Sequence, residues 1–246
     1  MKKNKIHQLF LVLFLILLNI NIDVQAQNSK NNFYSLANTF FQNNVDENGQ
    51  VAYESIKNDS KILDQLYGMI KNYSIENRTP NELKSFYTNT YNILVIKQVI
   101  DVYPIYGPLK VNGFFDKIKH DVAGEALTLN QVEKDKNIYV TKDERLHFAL
   151  VCGAKGCPPL ANYAFTPERI EEQLNERTKV ALSDENFIRL NKKNVGVSQI
   201  FNWYADDFQK TNVNGIISYL NKYRKNQIQM DTKIVYYEYN WELNKQ

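Results

Sequence analysis

Apolar and polar positions along this chain repeat mainly with the period of the α-helix. The clearest start is a capping box formed by Thr79 and Glu82, with Pro80 at the first helical position. The apolar positions that follow cover most sides of the helix until it ends near Val102. A helix that is apolar on most sides is normally buried, so we expect this one to lie at the centre of the fold.

Shorter elements are predicted around this helix. Helical spacing of apolar residues predicts further helices over residues 33–41, 61–70, 167–181, 199–208 and 215–223. Alternating spacing beside turn residues predicts a hairpin at Gly124, a second hairpin across 188–197 and a late strand over 233–239. We therefore predict a single α+β domain with a central buried helix, short antiparallel strands and several surrounding helices.

Two further segments have weaker patterns. Thr128 and Gln131 form a second capping box, which predicts a short helix. Residues 145–152 fit both periods, and as a strand they would place His147 and Cys152 on opposite faces.

Two asparagines, Asn89 and Asn92, interrupt the apolar surface of the central helix. A buried amide without a hydrogen bond costs about 1–3 kcal/mol, so each must have partners. They either tie a loop to the helix or project into a functional site.

The N-terminus has the layout of a secretory signal peptide. Lys2, Lys3 and Lys5 precede an apolar run, and Ala26 ends a small-residue cleavage motif. We predict a signal peptide over 1–26, a lead-in helix within 27–50 and the main domain over 51–246, with 27–246 forming one globular unit. The mature protein would then be periplasmic or secreted, with no stable membrane insertion after cleavage.

Charge and motifs exclude several classes of function. Removing residues 1–26 takes away three lysines and one aspartate, so 30 basic and 27 acidic residues become 27 and 26. A nearly neutral mature chain does not indicate a nucleic-acid partner. The phosphate loops, dinucleotide-binding glycines, zinc-protease helix and serine-hydrolase elbow are all missing from the sequence, which disfavours nucleotide, nicotinamide and serine-hydrolase chemistry.

The candidate chemistry lies between Arg145 and Leu160, a segment that holds His147 and the only two cysteines, Cys152 and Cys157. A thiol nucleophile needs a base and a group that orients the base. Cys157 would be the nucleophile and His147 the base. The orienting group would come from a set of four side chains: Asn89, Asn92, Asp206 and Asp207.

Two other interpretations of the cysteines stay open. Their C-x4-C spacing allows a disulfide, which would leave Cys157 unable to attack a substrate. It also allows a metal site with His147, although the fourth ligand would have to be His120, Glu133 or another acid. We predict no metal and no cofactor.

Several residues are candidates for substrate binding. Arg145 has the donors to bind a carboxylate or phosphate, although pairing with Asp143, Glu144 or another acid is the simpler prediction. The other candidates for contact with a small-molecule or peptide ligand are Cys152, Trp203 and Tyr204.

Four sequence motifs together resemble the domain of unknown function 547 family. They are 86–92 (FYTNTYN), 145–158 with its histidine and cysteines, 198–208 (SQIFNWYADDF) and 239–244 (YNWELN). The chain departs from that pattern at two positions. Tyr87 stands where the family often has tryptophan or another large apolar residue, and Asn240 stands where aspartate is expected. The resemblance supports one set of polar residues as members of a common functional site, because they are the polar residues of its motifs: Asn89, Asn92, Arg145, His147, Cys152 and Cys157. It implies a fold distantly similar to thiol proteases and transglutaminases, in which the central helix would carry the nucleophile. Here that helix offers Asn89 and no cysteine, so either Cys157 supplies the thiol from a different position or the architecture is inactive.

The sequence leaves two functional hypotheses. One is a secreted cysteine-dependent enzyme that hydrolyses amides or esters or transfers acyl groups. The other is a non-catalytic periplasmic binding or interaction protein with a structural Cys152–Cys157 disulfide.

Overall fold

Helix α4 (Pro80–Val102) runs through the centre of the structure, and its apolar residues are buried along most of its length. This is a computed structural model that describes residues 32–191, 193–208 and 215–246. The predicted capping box is present, because the Thr79 hydroxyl accepts from the Glu82 N–H and the Glu82 carboxylate accepts from the Thr79 N–H. The predicted signal peptide, residues 1–26, lies outside the described residues.

Helices surround α4 on several sides. On the N-terminal side these are α1 (32–44), α2 (Tyr53–Asn58) and α3 (Lys61–Lys71). Later in the chain come α5 (Tyr139–Thr141), α6 (Ile170–Ser183), α7 (Ile200–Trp203), α8 (Ala205–Phe208) and α9 (Gly215–Tyr223). A π-helical segment covers Gln131–Ile138, and short 3-10 helices cover Pro108–Lys110 and Glu144–Phe148.

The strands form two small sheets. Strands β1 (Lys119–Val122) and β2 (Glu125–Thr128) make the predicted hairpin at Gly124. Strands β3 (Ile188–Leu190) and β4 (Asn194–Val197) are antiparallel, and β5 (Lys233–Tyr236) pairs with β4 in parallel. The α+β class and the central buried helix are confirmed, whereas the parallel β4–β5 pairing departs from the antiparallel prediction.

Three local predictions need correction. Residues 145–152 are not a strand: Glu144–Phe148 is a 3-10 helix and irregular chain follows it. The predicted helix over 199–208 divides into α7 and α8 at Tyr204. The Thr128–Gln131 side-chain and backbone hydrogen bonds form, but they open a π-helical segment in place of an α-helix.

Two apolar clusters make up the core. The larger is built on α1, α3 and α4, and the smaller on the three-stranded sheet with α7, α8 and α9. Cys157 packs against both clusters, so it lies where they meet. Within the described ranges, no helix has both the length and the apolar composition to cross a membrane.

Candidate active site

His147, Cys152 and Cys157 line one cavity of about 290 Å³. Six of the residues that line it are aromatic: Tyr91, Phe115, Trp203, Tyr204, Tyr239 and Trp241. None of the described residues that line it is lysine or arginine. The volume is at the lower end of the roughly 300–1,000 Å³ range of small-molecule sites, so a compact, uncharged apolar group fits it best.

Helix α4 holds the cysteine-bearing loop at both of its ends. The Asn92 side chain accepts from the Val151 N–H at 2.9 Å and donates to the Ala149 carbonyl at 2.9 Å. The Asn89 side chain binds the N–H and the carbonyl of Phe165 in the same way, at 2.9 and 2.7 Å. Each amide therefore pairs with one backbone N–H and one backbone C=O, as a neighbouring strand would. Together the two amides fix the loop between residues 149 and 165 to the buried helix.

The structure does not bring either asparagine to the imidazole. Asn89 and Asn92 are fully or almost fully buried, and backbone groups occupy their amides. The sequence allowed the two asparagines either to tie a loop to the helix or to project into a functional site. In the structure they tie the loop to the helix. Neither is among the residues that line the cavity.

Two glycines let the cysteine loop pack closely. Gly153 has a φ of +80°, in the left-handed region that favours glycine. A Cβ on Gly156 would lie 2.9 Å from the Tyr239 ring, so only glycine lets that ring approach the loop.

The C-terminal segment 239–244 fixes this loop from the other side. The N–H groups of Lys155 and Gly156 donate to the carbonyls of Glu242 and Asn240, each at 2.8 Å. These two hydrogen bonds place Tyr239 next to the cysteines.

The two cysteines are free thiols whose side chains approach to about 2.6 Å, a separation that is not a disulfide. The Cys157 sulfur accepts from the Cys152 N–H at 3.1 Å and from the Tyr239 hydroxyl at 3.0 Å. The same hydroxyl lies 3.3 Å from the Cys152 sulfur. The structure therefore does not show the Cys152–Cys157 disulfide of the binding-protein hypothesis.

This environment separates the acidities of the two thiols. Burial alone raises the pKa of Cys157, but donors from Cys152, Tyr239 and the backbone outweigh burial and lower it below its ordinary value. The hydrogen bond to Cys157, together with burial, raises the pKa of Cys152 well above its ordinary value. Of the two, Cys157 is therefore the better thiolate and the better nucleophile.

His147 is held by a carboxylate and by aromatic rings. Its Nε2 lies 2.9 Å from the Asp207 carboxylate. The ring centroids of Tyr204 and Phe208 lie 4.1 and 5.3 Å from that of the imidazole. Asp207, one of the four residues considered as the orienting group, is the one in contact with the imidazole.

His147 and Cys157 share the cavity without a direct hydrogen bond. Within the described part of the chain, no hydrogen bond joins His147 to Cys157; the donors to the Cys157 sulfur are backbone, Cys152 and Tyr239.

One acid also faces the cavity. The Tyr204 hydroxyl donates to the Glu133 carboxylate at 2.9 Å. Burial and the charge of Glu133 raise the pKa of Tyr204 well above its ordinary value, so this phenol stays protonated. Trp203 and Tyr204, both predicted substrate contacts, line the cavity.

Arg145, the remaining predicted substrate contact, lies outside the cavity lining and takes part in an ion-pair network. Its guanidinium binds the Asp143 carboxylate at 2.6 and 2.8 Å and also contacts Glu171 of α6. Lys84 of α4 contacts the same two acids at 2.8 Å. The acid pairing considered from the sequence is therefore present with Asp143, and the network fixes the 3-10 helix that carries His147.

The residues suggested as metal ligands do not form a metal-binding group in the described part of the chain. Among residues 32–191, 193–208 and 215–246, no group of three histidine, cysteine or acidic side chains is placed to hold a metal ion. His120 instead binds the Gln98 side chain at 2.7 Å.

Sequence reasoning missed the role of Tyr239 and Trp241. Residues 239–244 form one of the four family-like motifs, but nothing in their spacing places a hydroxyl on the cysteines. Tyr239, Trp241 and Trp203 form one ring cluster, with centroids 4.8 to 5.9 Å apart.

Comparison with known proteins identifies one family. Residues 75–180 match the model of a family described as protein of unknown function, DUF547. This segment therefore belongs to the domain of unknown function 547 family, as its motifs predicted, and it contains α4, His147 and both cysteines. Asp207, Tyr239 and the cavity tryptophans lie outside the matched segment. No curated protein and no solved structure matches the chain, so the distant likeness to thiol proteases stays a prediction.

Proposed function

We propose that this member of the domain of unknown function 547 family is a cysteine-dependent enzyme that hydrolyses esters or amides or transfers their acyl groups. One observation carries the proposal. The thiol of lower pKa, Cys157, lines the same aromatic cavity as an imidazole held by a carboxylate. A nucleophile, a base and an orienting acid are the parts that covalent acyl chemistry requires.

In the proposed reaction, the Cys157 thiolate attacks the carbonyl carbon of a substrate bound against the aromatic wall. With a hydrogen on Nε2 donated to Asp207, the other imidazole nitrogen of His147 is free to exchange protons. Before the attack, this nitrogen takes the proton of the Cys157 thiol, and it then gives that proton to the departing alcohol or amine. In hydrolysis it takes a proton from the water that attacks the acyl-enzyme, the acid is released as the carbon–sulfur bond breaks, and the Cys157 thiolate is restored. Asp207 is a positioning residue, because it acts through His147.

The substrate class follows from the cavity. Aromatic rings and the lack of lysine or arginine among its described lining residues favour a neutral acyl group with apolar or aromatic character. A small molecule or the end of a peptide fits these requirements. We further propose that the protein acts in the periplasm or outside the cell, after cleavage behind Ala26, because residues 1–26 have the layout of a signal peptide.

A second candidate is a binding protein without catalysis. The observation that favours it is the missing hydrogen bond between His147 and Cys157 among the described contacts. In that case the aromatic cavity would hold a ligand, and the thiols would add only polar contacts.

Steady-state hydrolysis of neutral p-nitrophenyl esters distinguishes the two candidates. We expect turnover by the wild type, loss of turnover in Cys157→Ser and a fall of about 100-fold or more in kcat/KM in His147→Ala, since general acid–base catalysis contributes roughly 10²–10⁴-fold. The matched control is His120→Ala, which removes an imidazole bound to Gln98. Equal rates in the wild type and the His147 and Cys157 variants would contradict the enzymatic proposal and favour the binding one.

A further inference from the structure

Cys152 has no chemical step in the acyl mechanism, yet it lies against the nucleophile. The side chains of Cys152 and Cys157 approach to about 2.6 Å, and both are free thiols. The Cys157 N–H donates to the Ala154 carbonyl at 3.1 Å, so a tight turn returns the chain from one cysteine to the other. Joining the sulfurs therefore needs little backbone movement.

We infer that Cys152 and Cys157 form a dithiol that reduces organic disulfides by thiol–disulfide exchange within the aromatic cavity. The Cys157 thiolate attacks one sulfur of the substrate R–S–S–R, which forms a mixed disulfide and releases the first R–S⁻. The Cys152 sulfur then attacks the Cys157 sulfur, which forms the Cys152–Cys157 disulfide and releases the second thiol. The two electrons and two protons of the dithiol end on two R–SH molecules, so the step balances without another reactant.

The hydrogen bonds of the site suit this order of attack. Donors to the Cys157 sulfur stabilise its thiolate, so Cys157 attacks first. The main cause of the high pKa of Cys152 is its hydrogen bond to the Cys157 sulfur, followed by burial and the charge of Cys157. When Cys157 enters the mixed disulfide, it loses its negative charge. The pKa of Cys152 then falls, and its proton passes to the departing thiolate.

The lining of the cavity sets the class of disulfide. Its aromatic rings, with no cation among the described lining residues, favour a neutral aromatic or apolar disulfide over an anionic one. The exchange uses the same Cys157 thiolate as the proposed acyl chemistry, but it does not require that chemistry.

The test treats the fully reduced protein with less than one equivalent of 4,4′-dithiodipyridine, a neutral aromatic disulfide that releases a coloured thiopyridone. For the wild type we expect two thiopyridones for each reagent molecule. The product should be lighter than the reduced protein by the mass of two hydrogen atoms. Cys152→Ser should release one thiopyridone for each reagent molecule and keep the pyridyl adduct on Cys157.

Each other outcome overturns the inference in a distinct way. A wild type that stops at the pyridyl adduct on Cys157 would exclude Cys152 as the resolving thiol, while the reactivity that acyl chemistry needs would stand. A wild type that does not react would overturn both uses of Cys157. A product with adducts on both cysteines would show two independent thiols.

Discussion

Replacing Tyr239 with phenylalanine should change the acidity of Cys157 while keeping the aromatic ring. The Tyr239 hydroxyl donates to the Cys157 sulfur at 3.0 Å, and this hydrogen bond is one cause of the lowered pKa. A hydrogen bond to a charged group contributes about 1.5–3 kcal/mol. At 1.36 kcal/mol per pKa unit, its loss should raise the pKa of Cys157 by about 1–2 units.

The effect on reactivity has two opposing parts. A higher pKa leaves less thiolate at a given pH, but the thiolate that forms is more nucleophilic, with a Brønsted coefficient of about 0.4–0.5. Below both pKa values, the alkylation rate of Tyr239→Phe should therefore fall by roughly 3–15-fold. On the high-pH plateau it should rise by a similar factor, so the two pH–rate profiles should cross.

The assay is the rate of carbamidomethylation at Cys157 by iodoacetamide across pH, with the modified peptide identified by mass spectrometry. Tyr237→Phe is the matched control, because its hydroxyl donates to the Phe187 carbonyl and not to a thiol. Profiles of Tyr239→Phe and wild type that superimpose, or a midpoint that moves to lower pH, would refute this account of the thiol.

Three further predictions concern the support of the site. Gly156→Ala should displace the Tyr239 ring, which lies 2.9 Å from the added Cβ, and move the alkylation midpoint upward. Gly68→Ala, where nothing lies within 4 Å, is its control. Asn92→Ala should lower the free energy of unfolding in urea by about 2 kcal/mol or more, since it leaves two buried backbone groups of the loop without partners. Asp143 is buried, which raises its pKa, but its basic partners outweigh burial and lower it to about 2. Because the pKa of Asp143 is lower in the folded state than in the unfolded state, its ion pairs stabilise the fold above the ordinary pKa of 3.8. This contribution to the free energy of unfolding is lost as pH falls toward 2. Between pH 5 and pH 2, the free energy of unfolding in urea should therefore fall by about 2 kcal/mol more in wild type than in Asp143→Asn.

The predicted elements that are correct depend on local signals. The capping box at Thr79 and Glu82 needs only neighbouring residues, and it places the start of α4 correctly. The hairpin at Gly124 likewise follows from turn residues between two short strands. Such features can be predicted from sequence because the interactions that fix them lie within a few positions.

The segment 145–157 could not be predicted in this way. Its shape depends on Asn92, about 57 positions away, and on hydrogen bonds from the C-terminal segment 239–244. The Tyr239 hydroxyl reaches Cys157 across 82 positions, and no pattern of spacing encodes that contact. The sequence could name His147, Cys152 and Cys157 as candidates, but it could not choose Asp207 from four orienting residues or find Tyr239.

The most direct test of the proposed function is to trap the acyl-enzyme. Wild type, Cys157→Ser and His147→Ala would each be mixed rapidly with p-nitrophenyl benzoate, quenched in acid and mapped by mass spectrometry. We predict a benzoyl group on Cys157 in the wild type, slower formation of the same adduct in His147→Ala and no adduct at this position in Cys157→Ser. A wild type that releases no p-nitrophenol, or that carries benzoyl groups only on lysines, would contradict the assignment of Cys157 as an acyl nucleophile.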